Sequence, residues 1–409
     1  LSASKPKAAF HPRNMSFLLA NVPLGKKYKI PFPVLLWFTL AFVAVFLESM
    51  RHAINNYEIF KGVFWHTVHG MNLYSEYPAE YNDTNHYGPL FSLVIAPFAL
   101  LPDWLGVVLW SLTNAAVLFF ALKQLGFSQK NFYIILLIGA IELMSSTHHV
   151  QFNPMVAAWM ILSYVMVRKE KDLWATFFIA AGFLCKLYGI AGLTFFLFSK
   201  HKVKFILYFI GWTVVLFCLP MLISSHAFIV QSYHDWFQSL SDKDAKNAAQ
   251  SLAHGQQDIS VMGILRRSLH TSRISDLMVI APAAVLFALP LLRISQYKYI
   301  GYQLRYLALC LITIVIYSSS AESVTYIIAV AGIAIWYVLQ ERKTAWVNAL
   351  LVVVFVMTIL SPTDLCPPFM QHFIRGYALK ALPCFIVWLL LLREAAFNKF
   401  SHQSTDTII

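Results

Sequence analysis

Long apolar runs separated by short polar or basic stretches repeat along the whole chain. A helix of about 20 apolar residues crosses the hydrocarbon core of a bilayer. The pattern predicts spans at about 31–48, 103–122, 131–147, 152–167, 172–186, 187–199, 204–223, 276–294, 302–318, 323–340, 344–361 and 377–393, twelve in all. A transmembrane barrel would show short period-two alternation instead, and none is visible. The expected fold is an all-α polytopic membrane protein of about 12 transmembrane helices, one domain over 1–409.

Residues 88–102, GPLFSLVIAPFALLP, are apolar but short, with Pro97 inside and Pro102 at the end. Reading them as a re-entrant or interfacial segment puts every later basic cluster on one side. Those clusters are Lys123/Lys130, Arg168 to Lys171, Lys200/Lys202/Lys204, Arg293/Lys298/Arg305, Glu341 to Lys343, and Arg393/Lys399. Lys5, Lys7, Arg13, Lys26, Lys27 and Lys29 put the N-terminus on that cytoplasmic side too. The external segments are then 49–102, a first loop carrying interfacial helices, and a second large loop at 224–275, with short turns at 145–154, CKLYG, 318–323 and 361–376.

Composition sharpens this picture. The chain is 59% hydrophobic and only 12% charged, about half the charge of a soluble protein. Its net charge of +12 belongs to cytoplasmic loops, so no nucleic-acid partner is expected. Five cysteines show no metal-ligand spacing, and the four that lie in apolar runs read as small apolar side chains. The polar, basic start has no apolar core before a small-residue site, so no cleavable signal peptide is expected.

The unusual polar residues gather on the external side. The first loop offers Glu48, Glu58, Glu76, Glu80 and Asp83 as candidate general bases; the bland alternative for each is a solvated loop charge. Asp83 and Glu48 stand out because they border apolar runs, where burial tunes a pKa. In HHVQFNP, His149, Gln151 and Asn153 sit where two spans meet and can hydrogen-bond a hydroxylated ligand, or else cap helix ends. Lys186 interrupts an otherwise uncharged run over 173–199. A lysine there is costly unless it lines a wet cavity, and its ammonium suits a phosphate; snorkelling to the interface is the alternative. Glu322 lies near a helix end. Asp258, Arg266 and Arg267 lie close together, and the arginine pair reads as a second phosphate site or a contact to lipid headgroups.

Six stretches together carry a family resemblance: Gly70–Tyr74, Tyr87–Pro102, Gln151–Pro154, Gly182–Lys186, Ser260–Arg267 and the SSSAES run at 318–323. In order and spacing they resemble glycosyltransferase family 87 of the GT-C superfamily. The resemblance implies a GT-C-like fold in a bacterial inner membrane, with its active site facing the periplasm. It implies an inverting transferase that takes a hexose, mannose above others, from a polyprenyl-phosphate sugar donor to a glycan or glycolipid acceptor. Membrane lipids would be the further partners; no cofactor and no metal is implied. Where relatives carry an acidic residue before the Gly-x-x-Leu-Tyr stretch, this chain has Asn55 and Asn56, which cannot act as a base. The base then falls to Asp83, with Glu48 and Glu58 behind it. Asn56 and Tyr87 join His149, Gln151, Asn153, Lys186, Asp258, Arg266, Arg267 and Glu322 as substrate-binding candidates. Were the reaction metal-dependent, Asp83, Asp258 and Glu322 would be the ligands to test. The rival readings are a transporter, disfavoured by the lack of inverted repeats, and a non-catalytic subunit of an envelope pathway.

Overall fold

The computed structural model describes residues 17–24, 28–253 and 257–401. The basic residues Lys5, Lys7, Arg13, Lys26 and Lys27 lie outside that set. A short antiparallel hairpin, β1 (Asn21–Leu24) and β2 (Tyr28–Pro31), leads into α1 (Phe32–Met50). The segment between α1 and the next long helix carries α2 (Asn55–His69) and α3 (Phe91–Ala99). A bundle follows: α4 (Asp103–Lys123), α5 (Gln129–His148), α6 (Asn153–Arg168), α7 (Asp172–Cys185) and α8 (Lys202–Cys218). After it come α9 (His226–Gln250), α10 (Val261–Ser268), α11 (Asp276–Ala288), α12 (Ile300–Ile316), α13 (Ile327–Val338), α14 (Ala345–Val354), α15 (Pro368–Gly376) and α16 (Ala381–Phe397).

The nine residues of α3 extend only about 14 Å, too short to cross the hydrocarbon core of a bilayer. At the centre of the bundle lies α13, apolar on every side and buried from Ile327 to Trp336. It packs against α5, α6, α12 and α16, while α1 closes onto α4 and α5. The outer helices turn apolar side chains outward: Phe42 and Phe46 on α1, Leu207, Ile210 and Val214 on α8, Leu277, Met278 and Val285 on α11. Surface of that kind suits lipid rather than water. Charges inside the bundle are paired: Lys380 with Glu142 at 2.7 Å and Arg305 with Glu394 at 2.7 Å.

Helices stand at each expected span, yet the count of twelve crossings is not matched by their lengths. Four helices (α1, α4, α5 and Lys202–Leu222) are long and apolar enough to cross, and the bent pair α15–α16 would make a fifth. Two of the others are interrupted by local chemistry. Pro282 and Pro290 interrupt the α11 segment, and α14 passes into a π-helical turn at Phe355–Leu360.

The segment 172–199 shows how shortness is offset. α7 ends at Cys185, and residues Leu187–Phe198 fold back beside it as a 3₁₀ helix. The Ser199 hydroxyl donates to Asp172 at 2.8 Å, closing the base of this hairpin. Twelve 3₁₀ residues rise about 24 Å, against about 21 Å for the fourteen of α7. The two arms therefore match, and Lys186 sits at the tip. Basic clusters meet at the opposite end of the bundle, where Arg168 donates to the Leu125 carbonyl at 2.9 Å and Lys200 pairs with Glu170 at 2.6 Å.

Candidate active site

At the tip end of the hairpin the loop segments and helix ends enclose a cavity of about 750 Å³. Lys186 enters it because the chain leaves helical geometry there, with φ −152° and ψ 122° between α7 and the 3₁₀ arm. Its ammonium donates to the Asn153 side-chain oxygen at 2.8 Å. It also lies 5.6 Å from the centre of the Tyr87 ring and 4.9 Å from that of Tyr188. Asn153, fully buried at the start of α6, donates in turn to the Gln151 side chain and to the Val324 carbonyl, both at 3.2 Å. The tight turn before it puts the β-branched Val150 at φ 51°, a left-handed conformation that costs free energy and persists only where its surroundings enforce it.

Asp83 is exposed at the rim of the cavity. Its backbone is left-handed, φ 76°, and its carboxylate accepts the Thr84 N–H at 2.8 Å. The loop that presents it is stapled by Asn55, whose amide donates to the Asn82 carbonyl at 2.9 Å and accepts the Asn82 N–H at 2.7 Å. A carboxylate could only accept, so asparagine is the residue type this staple requires. Asn56, next along α2, lines the cavity and donates to the His149 carbonyl at 2.8 Å. Beyond Asp83, Asn85 and Tyr74 brace the Tyr87 carbonyl at 3.0 and 3.1 Å. Gly88 then donates to the Cys185 carbonyl at 3.0 Å, directly before Lys186.

The cavity thus brings together Asn56, Asp83, Tyr87, Gln151, Lys186 and Glu322. Glu322 accepts from Gln257 at 2.6 Å. The other candidates lie elsewhere. Glu48 is buried beside Arg51 and His148 at 3.4 and 3.3 Å, and Glu58 sits on the face of α2 near Lys61 and Asp103. His149 lines a second, smaller chamber of about 370 Å³, which shares Asn56, Gln151 and Glu322 with the first. Burial and the adjacent His148 hold the His149 imidazole below its ordinary range, against the pull of Glu322 and Glu48.

The reading of Arg266 and Arg267 as a phosphate site requires correction. Both are buried. Arg266 is committed to Asp258 at 3.0 Å, to Asp276, and to the Ile274 carbonyl at 2.8 and 3.0 Å. Arg267 donates to the carbonyls of Ser251, Gln257 and Arg375 at 3.0, 2.8 and 2.6 Å. These contacts tie the loop 251–276 together. Asp258 likewise is closed off, since Ser251 and Ser260 each donate to it at 2.6 Å. It does not converge with Asp83 and Glu322, and among the described residues no three His, Cys, Asp or Glu side chains group as a metal site.

The amphipathic stretch from 231 reads from sequence as an interfacial piece; what that reading missed is that α9 forms a wall of the cavity. Trp236, Leu240 and Lys243, at helical spacing, line the cavity from this helix. Burial lowers the Lys243 pKa, with Glu322 and Asp83 opposing and Lys246 assisting. His86 also lines the cavity and is held neutral, its pKa pushed down to about 3 by burial first and then by Lys243. The stretch DKDAKN reads locally as a solvated helix face; only the stripe from Trp236 to Lys243 signals a wall.

The model of glycosyltransferase family 87 matches residues 85–362, which include Lys186, Lys243, Glu322 and the loop closed by the two arginines. Among curated proteins, nothing matches the chain.

Proposed function

We propose that this chain, which belongs to glycosyltransferase family 87, moves a hexose, mannose in our reading, from a polyprenyl-phosphate donor to a hydroxyl of a lipid-linked or envelope glycan, with inversion. One observation carries the proposal: a single cavity is lined by the apolar Ile190, Ile280 and Ile314, by the ammonium of Lys186 and by the carboxylate of Asp83. An amphiphile whose apolar and polar parts meet at a phosphate fits that lining.

In this reading the lipid tail leaves between α11 and the 3₁₀ arm. Lys186, assisted by Lys243 in place of the arginine pair, binds the phosphate and stabilises the charge it gains as it departs. Asp83 takes the proton of the acceptor hydroxyl. The hydroxyl oxygen bonds to the anomeric carbon while the bond from that carbon to the phosphate oxygen breaks, releasing polyprenyl phosphate. Asn56, Gln151 and Glu322 border the sugar, and Asn153 positions Lys186. Twelve crossings with the cavity at the periplasmic face of a bacterial inner membrane remain our reading. The cluster of basic residues at the other end of the bundle supports that orientation.

The test is a transfer assay on purified protein with radiolabelled polyprenyl-phosphate mannose and a lipid extract of the source envelope. Wild type is expected to transfer label, Asp83→Asn to lose at least a hundredfold in rate, as removal of a general base does, and Lys186→Ala to lose rate as well. Donor that binds but is neither transferred nor hydrolysed by wild type would overturn the proposal.

A further inference from the structure

Outside the rim lies a second groove of about 610 Å³. We propose that it holds the acceptor as a neutral oligosaccharide of more than one sugar and disfavours polyanionic glycans; this rests on the transferase reading above.

The groove runs between the loop after α2 and one face of α9. Asn72 and Glu76 line one wall, and Asp235, Gln238, Asp242 and Lys246 the other. The α9 positions recur at intervals of three and four, so they form a continuous stripe. They alternate with the stripe that faces the cavity, and α9 is the partition between the two spaces.

Three observations define the occupant. The first is chemistry: among the described residues the groove is lined by polar and charged side chains and the Tyr74 ring, with no aliphatic side chain. Sites for apolar ligands are lined mostly by hydrophobic side chains, whereas the carbon surface here comes from the stems of polar side chains and one aromatic ring. Carboxylates and carboxamides instead accept from and donate to hydroxyl groups. They are also braced beforehand: Gln231 and Asn72 donate to Asp235 at 2.7 and 3.3 Å, and Gln238 donates to Asp242 at 2.9 Å. Bracing spares part of the ordering cost of binding.

The second observation is charge. Glu76, Asp83, Asp235 and Asp242 outweigh Lys243 and Lys246, so a polyanion meets net repulsion.

The third is continuity with the reaction centre. Asp83, Thr84, His86, Lys243 and Gln257 line groove and cavity alike. At that junction the Nδ1 atom of His86 is buried without a hydrogen-bond partner. Buried polar atoms are ordinarily satisfied, and a turn of the imidazole toward the junction would bring this nitrogen within reach of a ligand hydroxyl. The end of the acceptor then meets Asp83 while its remaining sugars occupy the groove, whose volume is in the range that encloses a drug-sized ligand.

The experiment measures binding of mannose, mannotetraose, tetragalacturonate and a Ser/Thr-rich peptide to the full chain in lipid nanodiscs, by calorimetry. Mannotetraose is expected to bind at least tenfold tighter than mannose and tenfold tighter than tetragalacturonate. An Asp235→Ala/Asp242→Ala double variant should lose at least tenfold in mannotetraose affinity. Asp242→Asn, which keeps the shape of the groove, should lose part of it. Equal affinity for mannose and mannotetraose, tighter binding of tetragalacturonate or of the peptide, or unaltered affinity in folded variants would each overturn the proposal. Donor hydrolysis by wild type is followed in the same preparation. Hydrolysis without mannotetraose binding overturns the groove alone; mannotetraose binding without any donor turnover overturns the transferase reading, and with it the acceptor role, and leaves the groove a binder of neutral glycans.

Discussion

Arg266 links two acidic side chains, Asp258 and Asp276, and its loss would leave the fully buried Asp258 without its counter-charge. Breaking a buried pair from one side costs about 3–5 kcal/mol. Arg266→Ala is therefore expected to lower the unfolding midpoint strongly, and a thermal melt in detergent measures it; an unchanged melt would restore the ligand-binding reading. His86 gives a pH prediction with a definite sign. The folded protein keeps its imidazole neutral down to about 3, whereas the unfolded chain protonates it near 6.5. Its contribution to stability is thus intact at pH 7 and is lost as pH falls from about 6.5 toward 3. His86→Gln should narrow the difference in melting temperature between pH 7 and pH 5. Lys186 was legible in the sequence because a lone charge in apolar surroundings is expensive and stands out. The arginine pair was not, since adjacent cations look alike whether their donors meet a ligand or the protein's own carbonyls. Asn55 was read as a base lost; the structure shows an amide using both its donor and its acceptor to position the Asp83 loop.

At the scale of elements, three pieces distant in sequence meet at Gly88. A Cβ added there would lie 2.1 Å from the Leu184 carbonyl and 3.0 Å from the Trp236 ring. The return of the first loop, the end of α7 and the cavity wall of α9 therefore close on a position with no room for a side chain. Gly88→Ala should push these elements apart and displace Lys186, lowering both the melting temperature and any transfer activity. A variant as stable and active as wild type would show that the junction yields. Helices were legible at every expected span because apolar runs are local signals. Their true lengths were not, since prolines and 3₁₀ or π segments redistribute rise per residue without altering hydropathy. The break at α7 is the clearest case: the run 187–199 is too short for an α-helical crossing, yet it matches its partner arm as a 3₁₀ helix.

For the whole molecule, charge placement was the readable quantity. Basic clusters at one end and unusual polar residues at the other follow from counting, and the cavity lies at the polar end. Which polar residues share that cavity depends on contacts between positions hundreds of residues apart, as when Lys380 reaches Glu142, and no local pattern encodes them. The hairpin tipped by Lys186 has a further consequence. Its arms rise about 21–24 Å, while the hydrocarbon core of a bilayer is about 30 Å thick, so in the proposed orientation, with the hairpin base at the basic face, the ammonium would stand several ångströms beneath the far surface. Membrane thickness then becomes a variable of catalysis, setting how far a charged headgroup must sink to meet its cation. Transfer measured in vesicles of short-, medium- and long-chain phosphatidylcholine is expected to slow as the chains lengthen. Rates indifferent to chain length would mean that the protein thins the bilayer around itself and carries its own local depth from one membrane to another.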